Sequence, residues 1–281
     1  MSRLHVLTPL RDEAENIPRL VATLRAQTRP IDAWVVLENG STDGSREMLR
    51  EIAPGGGLGA IEVLNLDLAQ KEYALGHKYA SIVKAGIDHL RATRALAPDD
   101  MVALLDADTF LHPRYYEAIE AAFAAEPRLG MACGRPIRPG KSEHETRWTG
   151  GGYFVWRYAC LAEAGYIVGP SADVVSATKA HLRGWERRVL PEVHAETRGM
   201  GDRVDFRYYG RSAYFRGETL PHAFAVAAKR AIMGRPAQGW AHVAGYLGEV
   251  RRGAPRTEDG EILAYFRGTI GRRLRETLRL G

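Results

Sequence analysis

The sequence predicts an α/β protein with a mostly parallel sheet flanked by helices, followed by a helical extension at the C-terminus. Two observations carry this prediction. Short apolar runs alternate with amphipathic helical patterns through the first 125 residues or so, and only helical patterns appear after about residue 222. Strict alternation of strand and helix is typical of parallel sheets, because each return to the same edge requires a crossover.

Four apolar runs have the length and composition of buried strands, and they lie at 4–10, 33–38, 61–66 and 101–106. Asp12, with Glu15 three residues on, predicts a capping box for a first helix that runs to about Ala26. Further helical patterns follow at about 45–52, 76–94 and 113–125.

The second half is less regular. The segments GGGYFVW (150–156) and RSAYFR (211–216) predict strands, whereas 173–183 predicts a helix. Helical spacing returns at His222 and is broken by Gly234–Arg235–Pro236. We therefore expect one domain over 1–235, with halves at about 1–115 and 116–235, and a helical extension over 236–281.

Composition narrows the function classes. The chain has 281 residues, 45% of them hydrophobic, and a formal net charge of +5, which suits phosphate-bearing small molecules or an anionic surface better than nucleic acid. Two cysteines, Cys133 and Cys160, form no CxxC pair. Charged residues interrupt the first apolar run early, and no run approaches ~18 apolar residues. We expect a cytoplasmic protein, with attachment to the inner membrane face as an open alternative.

The run MVALLDADTFLHP (101–113) ends a buried strand with two aspartates one residue apart. Two carboxylates this close repel each other, and burial makes their charges costlier. A divalent cation between Asp106 and Asp108 resolves both costs, and oxygen ligands favour Mg²⁺ or Mn²⁺.

Three segments in order give the sequence a family resemblance. LHVLTPLRDEAENIPRLVATLRAQT, VVLENGSTDGS and LLDADTFLHP resemble the opening of a family 2 glycosyltransferase with a GT-A fold, over roughly residues 3–115. In that family the first strand ends in a Pro and a short acidic segment, the second in acids before Gly-Ser-Thr-Asp-Gly, and the third in a D-x-D motif. Asn39 departs from the pattern, because a second Asp is common there.

The resemblance implies a Rossmann-like sheet and roles for individual residues. Asp108 holds the metal ion, and Asp106 contacts the ribose or reaches the metal through water. The residues implied to line the nucleotide pocket are Thr8, Pro9, Arg11, Glu13, Glu38 and Ser41. Lys78, at the start of a helix, is a candidate for the diphosphate, with a solvated surface lysine as the alternative.

The family also implies a catalytic base and a further metal ligand in the second half. An inverting transferase needs a base for the acceptor hydroxyl, and Asp202 is the first candidate, with Asp205 second. Either acid also suits a structural pairing with a nearby arginine. His222 is a candidate third metal ligand, and a structural histidine is the alternative.

The function implied is metal-dependent transfer of a sugar from a nucleoside diphosphate sugar to an acceptor hydroxyl, inverting at the sugar. A catalytically degenerate module that binds a sugar nucleotide remains the alternative. The GKS at 140–142 does not form a P-loop, because five residues rather than four separate Gly134 from Gly140. The loop expected of a nucleotidyltransferase after its first strand is absent.

Basic amphipathic patterns occupy 223–235 and 262–280. Such helices suit an anionic membrane surface or packing against the catalytic domain or a second subunit. Both peripheral membrane contact and a homodimer therefore stay open at this stage.

Overall fold

The computed structural model describes residues 2–66, 76–137, 151–197, 205–272 and 275. The chain forms two compact units. The first comprises 1–168 and 172–198, and the second comprises 169–171 and 199–281. This division falls near residue 198, whereas the sequence predicts a boundary at 235, because the helices after residue 205 pack on one another.

Strands and helices of the first unit alternate through its first half, as predicted. Its elements are β1 (Leu4–Leu10), α1 (Ile17–Arg25), β2 (Ile31–Glu38), α2 (Ser45–Glu51), β3 (Leu58–Asn65), α3 (His77–Thr93), β4 (Met101–Leu104), β5 (Thr109–Leu111), α4 (Tyr115–Ala125), β6 (Leu129–Ile137), β7 (Val155–Arg157), α5 (Tyr158–Ala164), α6 (Ala172–Leu182) and β8 (Glu186–Thr197).

One eight-stranded sheet runs through this unit in the order β3-β2-β1-β4-β7-β6-β8-β5. Strands β3, β2, β1 and β4 are parallel to one another, with Leu7 opposite both Val35 and Leu104. The pairs β4–β7, β6–β7 and β5–β8 are antiparallel, and β6–β8 is parallel. The sheet is therefore mixed. Its parallel part consists of the strands whose apolar runs are evident in the sequence.

Helix α3 lies unusually close to the centre of the sheet. A side chain at Gly86 would bring a Cβ within 2.7 Å of Leu37 Cδ1 and 3.2 Å of Leu7 Cδ2. The glycine therefore lets the helix approach β1 and β2. This close approach positions the first turn of α3, which carries Tyr79 of the candidate site.

The second unit is helical in the part that the structure describes. Its helices are α7 (Phe206–Arg216), α8 (Leu220–Ile232), α9 (Pro236–Arg252) and α10 (Gly260–Arg267). Helices α7 and α9 cross at glycines, since a Cβ at Gly210 would lie 1.9 Å from His242 O and one at Gly245 would lie 2.1 Å from Arg207 O. Ile262 and Phe266 of α10 are buried.

Two sequence predictions about local structure are wrong. Helix α1 has Asn16 at its N-cap, and Asp12 lies outside the helix with φ 52°, so no capping box forms. The segment 211–216 is helical rather than extended, because Asp205 caps α7 and left-handed Gly217 ends it. None of the helices within the described residues is long and apolar enough to span a membrane.

Candidate functional site

Three strand ends meet at one edge of the sheet. Strand β1 lies between β2 and β4, all three parallel, so the loops that follow them open on the same side. In open parallel sheets ligands bind beyond these carboxyl ends. Arg11, Glu13, Ser41 and both aspartates of the D-x-D sequence lie on these loops, whereas Thr8, Pro9 and Glu38 lie near the ends of β1 and β2.

Hydrogen bonds join the loop after β1 to the loop after β2. The Asp12 carboxylate accepts from Thr42 N at 2.7 Å, and Asp12 N donates to Ser41 Oγ at 3.0 Å. Glu13 N donates to Ser45 Oγ at 3.0 Å. Asp12, which the sequence predicts to cap helix α1, instead bridges the two loops.

Asp43 completes this bridge. Its carboxylate accepts from Ala14 N at 2.9 Å and from both the backbone and the hydroxyl of Ser45. Burial raises the pKa of Asp43, but these hydrogen bonds outweigh burial and the pKa is lowered overall. Asp43 is a turn residue, as its sequence context indicates.

Glu38 and Thr8 are anchored inside the protein. The Glu38 carboxylate is fully buried and accepts from Ser41 N at 2.6 Å and from Arg46 Nε at 2.5 Å. The fully buried Thr8 hydroxyl accepts from Trp34 Nε1 at 2.9 Å. The Glu38 contacts hold the loop after β2, and the Thr8 contact joins β1 to β2. The roles of both residues in the nucleotide pocket stay predictions.

Asp106 follows β4, and its carboxylate is closely surrounded by other groups. The Tyr79 hydroxyl, in the first turn of α3, donates to Asp106 Oδ1. Asp106 N donates to Gly152 O at 2.7 Å, and a Cβ at Gly152 would lie 1.8 Å from Asp106 Oδ2. Only glycine at 152 leaves room for this carboxylate.

Three other carboxylates act electrostatically on Asp106 at this edge. Burial, together with the charges of Asp108, Glu13 and Asp173, raises the pKa of Asp106 to about 7, against the hydrogen bond from Tyr79. The sequence indicates three of these four residues, and the structure brings them together. A bound cation would stabilise a site in which neighbouring carboxylates raise the pKa of one of their number.

Asp173 is the residue that sequence reasoning missed. It lies in the first turn of α6 and accepts from Gly151 N at 3.3 Å, next to the glycine that makes room for Asp106. It also acts electrostatically on Tyr79. An acid in the first turn of a predicted helix is explained by its favourable interaction with the helix dipole. The sequence pattern therefore gives no reason to identify Asp173 as a site residue.

The other predicted pocket residues lie on the loops after β1 and β2 (Arg11 and Ser41), near the end of β1 (Pro9) and in the first turn of α3 (Lys78). Pro9, Arg11 and Ser41 are half-buried, and Arg11 Nε lies 3.4 Å from Asp12 Oδ2. Lys78 is exposed in the first turn of α3, adjacent to Tyr79. These positions are compatible with nucleotide contacts, which stay predictions.

The second candidate base, Asp205, and the predicted third metal ligand, His222, belong to the second unit. Asp202 lies outside the described residues. Asp205 is exposed and caps α7 by accepting from Arg207 N at 3.0 Å, and its role as a base stays a prediction. His222 is buried, and its Nδ1 lies 2.7 Å from Glu218 Oε2; its metal role stays a prediction.

Metal ligation at the acidic edge would need more than protein side chains. Among the described residues, no three His, Cys, Asp or Glu side chains are placed to hold a metal ion together. Mg²⁺ at such sites is held by one or two carboxylates, with phosphates and waters completing the coordination. Asp106 and Asp108 fit that pattern, because a nucleoside diphosphate would supply the remaining oxygens.

Comparison with known proteins agrees with this geometry. Residues 5–77 match the model of "Glycosyl transferase family 2". No curated protein matches the sequence.

Solved structures with the same fold include glycosyltransferases bound to nucleotide sugars. S. aureus TarS is 16% identical with a TM-score of 0.53, over 75% of this chain and 39% of that chain, so this chain spans well under half of TarS. TarS 1–349 in complex with UDP-GlcNAc is 16% identical with a TM-score of 0.54, over 87% of this chain and 71% of that chain.

A third structure is similar along nearly the whole chain. The mannosyltransferase PcManGT from Pyrobaculum calidifontis, in complex with GDP-Man and Mn²⁺, is 16% identical with a TM-score of 0.55, over 99% of this chain and 82% of that chain. The shared fold confirms the GT-A architecture. The match over residues 5–77 confirms the resemblance to the family 2 glycosyltransferases and supports a glycosyltransferase enzyme.

Proposed function

We propose that the first unit transfers a sugar from a nucleoside diphosphate sugar to an acceptor hydroxyl, with inversion at the anomeric carbon. The observation that carries this proposal is the convergence of Glu13, Asp106, Asp108 and Asp173 where parallel strands β1 and β4 end. UDP-GlcNAc in TarS 1–349 and GDP-Man with Mn²⁺ in PcManGT support a nucleotide-sugar donor and a divalent cation.

Asp106 and Asp108 are the residues that would hold the cation. Tyr79 orients Asp106 through its hydrogen bond, and Gly152 provides the space that this carboxylate occupies. Bound there, Mg²⁺ or Mn²⁺ would neutralise charge that develops on the departing diphosphate. Lys78 and the N-terminus of α3 are suitably charged for the same diphosphate.

Asp173 is the base that we propose, and Asp202 and Asp205 stay as the candidates predicted from the sequence. It belongs to the same compact unit as the D-x-D sequence and lies within electrostatic range of Asp106 and Tyr79. Its carboxylate would take the proton of the acceptor hydroxyl while that oxygen bonds to the anomeric carbon. The bond from the anomeric carbon to the diphosphate oxygen breaks in the same step, and the nucleoside diphosphate leaves with those electrons.

Thermal unfolding with Mn²⁺ and a panel of nucleoside diphosphates (UDP, GDP and dTDP) tests the donor site. A nucleotide present at about a hundredfold excess over its Kd should stabilise the protein by about 2.7 kcal/mol. Asp108→Asn should abolish the Mn²⁺-dependent part of that shift because it removes one carboxylate charge.

Arg114→Gln, at the exposed residue just before α4, is the control and should keep the full shift. An equal shift in Asp108→Asn would remove Asp108 from the site. Nucleotide binding without transfer or hydrolysis of any donor would instead favour the degenerate binding module.

A further inference from the structure

The second unit contains a long segment without acidic residues. From Thr219 to Gly248 the sequence has no Asp or Glu, but it has Lys229, Arg230 and Arg235. Lys229 and Arg235 are exposed near the turn between α8 and α9, whereas Arg230 donates to Gln238 Oε1 at 3.1 Å. The surface of this hairpin is therefore positively charged.

The same hairpin exposes most of the large apolar side chains found on the described surface. Seven of the nine lie between Leu220 and Val250. Ile232 is 88% exposed, Met233 54% and Trp240 66%, and all three flank the turn. Scattered exposed apolar residues are normal, but a group at one helix turn indicates an interaction surface.

Packing explains why these side chains face outward. Helices α8 and α9 approach closely, since a Cβ at Gly239 would lie 2.8 Å from Ala227 O. Their inner faces bury residues such as Ala223 and Val243. With the inner faces occupied, the residues from Ala231 to Ala237 are all exposed, apolar and basic side chains together.

We propose that the α8–α9 turn binds an anionic lipid bilayer. Ile232, Met233 and Trp240 enter the headgroup and acyl boundary, while Lys229 and Arg235 contact lipid phosphates. A bilayer combines these two chemistries, because its interface accepts apolar and aromatic side chains beneath a negatively charged surface. This inference does not depend on the proposed function.

A second copy of the chain is a poorer partner for this surface. A two-fold interface brings the same patch onto itself. The segment would then place Lys229 and Arg235 against their own equivalents, with no acidic residue between Thr219 and Gly248 to pair with them. Charge complementarity thus favours an anionic bilayer.

Co-sedimentation of the full chain with vesicles tests the proposal. We expect binding to phosphatidylcholine vesicles that contain phosphatidylglycerol, and little binding to phosphatidylcholine alone. Raising the ionic strength from about 0.01 M to about 0.1 M shortens the Debye length from about 30 Å to about 10 Å and should weaken binding. Lys229→Gln with Arg235→Gln should lower partitioning at least about tenfold.

An apolar variant tests insertion separately. Ile232→Ser with Met233→Ser should also lower partitioning at least about tenfold, since two exposed apolar side chains no longer enter the bilayer. Binding should shift Trp fluorescence to the blue, and Trp240→Phe should remove that shift.

Matched controls use exposed positions on the first unit. Leu182→Ser, at a position 39% exposed, matches the apolar variant, and Arg50→Gln with Arg114→Gln matches the charge variant. Both should bind vesicles like the wild type. No binding to anionic vesicles at low ionic strength, or equal loss in the controls, would overturn the proposal. So would concentration-dependent dimerisation that Ile232→Ser with Met233→Ser abolishes in a protein that binds no vesicles.

Discussion

Individual residues at the acidic edge show what a sequence can and cannot indicate. Asp106 and Asp108 are conspicuous because a strand that ends in two acids calls for an explanation. Gly152 and Tyr79 are not conspicuous, because a glycine among glycines and a tyrosine in a helix have many roles. Their importance depends on contacts with Asp106 from distant parts of the chain.

At this scale we expect Gly152→Ala to disable the donor site. The new Cβ would overlap the Asp106 carboxylate, so either that side chain or the backbone must move. The Mn²⁺-dependent thermal shift with nucleoside diphosphates should be lost. Gly248→Ala is the matched control, since nothing lies within 4 Å of its Cβ and the site is helical. A full shift in Gly152→Ala would show that Asp106 is not fixed as described.

Asp205 has two candidate roles, as the cap of α7 and as the catalytic base. Asp205→Ala should cost about 1 kcal/mol of stability through loss of the α7 cap. Asp205→Asn should keep both the cap and the turnover, because an amide oxygen still accepts from Arg207 N. Chemical denaturation and a transfer assay measure the two effects. Strongly reduced turnover in a stable Asp205→Asn variant would return Asp205 to the catalytic site.

At the scale of secondary-structure elements, local signals sufficed where burial follows a regular pattern. Strand β2 and helix α3 match the sequence prediction closely, because β2 is buried on both faces and α3 buries one apolar stripe. The 12-residue strand β8 was missed, since its burial is uneven and it contains charged residues throughout. Its pairing with β6 and β5 depends on long-range contacts.

The loop connecting α7 and α8 contains a buried carboxylate with a definite pH effect. Glu218 is bonded to Arg216 at 2.6 Å, and its other oxygen lies 2.7 Å from His222 Nδ1. Burial raises the pKa of Glu218, but these partners outweigh it and lower the pKa to about 2. A lowered pKa gives stability that is present above the ordinary pKa of 4.5 and is lost as pH falls toward 2.

We expect Glu218→Gln to destabilise the second unit by about 3 kcal/mol near neutral pH, since it leaves the Arg216 charge without its partner. The difference from the wild type should shrink as pH falls from about 4.5 toward about 2. Glu47→Gln, in an exposed ion pair with Arg50, should change stability little. Unfolding free energies measured across this range check the effect, and a difference independent of pH would contradict it.

For the whole molecule, the sequence motifs and the fold lead to the same family from different observations. Three motifs in order predicted the GT-A architecture, and the alternation of elements predicted its parallel half. The second half could not be assigned in the same way, because Asp173 and Asp202 both lie shortly after a glycine and nothing local distinguishes them. The structure shows Asp173 acting electrostatically on Asp106, and Asp202 lies outside the described residues.

The central claim is that Asp173 is the base of a transferase whose donor site contains Asp106 and Asp108. The most direct test is single-turnover sugar transfer by Asp173→Asn, alongside Asp202→Asn, with the donor identified by thermal shift. Asp173→Asn should lower turnover by about 10²–10⁴ while the Mn²⁺-dependent nucleotide shift survives, because the base acts on the acceptor proton. Near-normal turnover in Asp173→Asn, with an inactive Asp202→Asn, would contradict the claim.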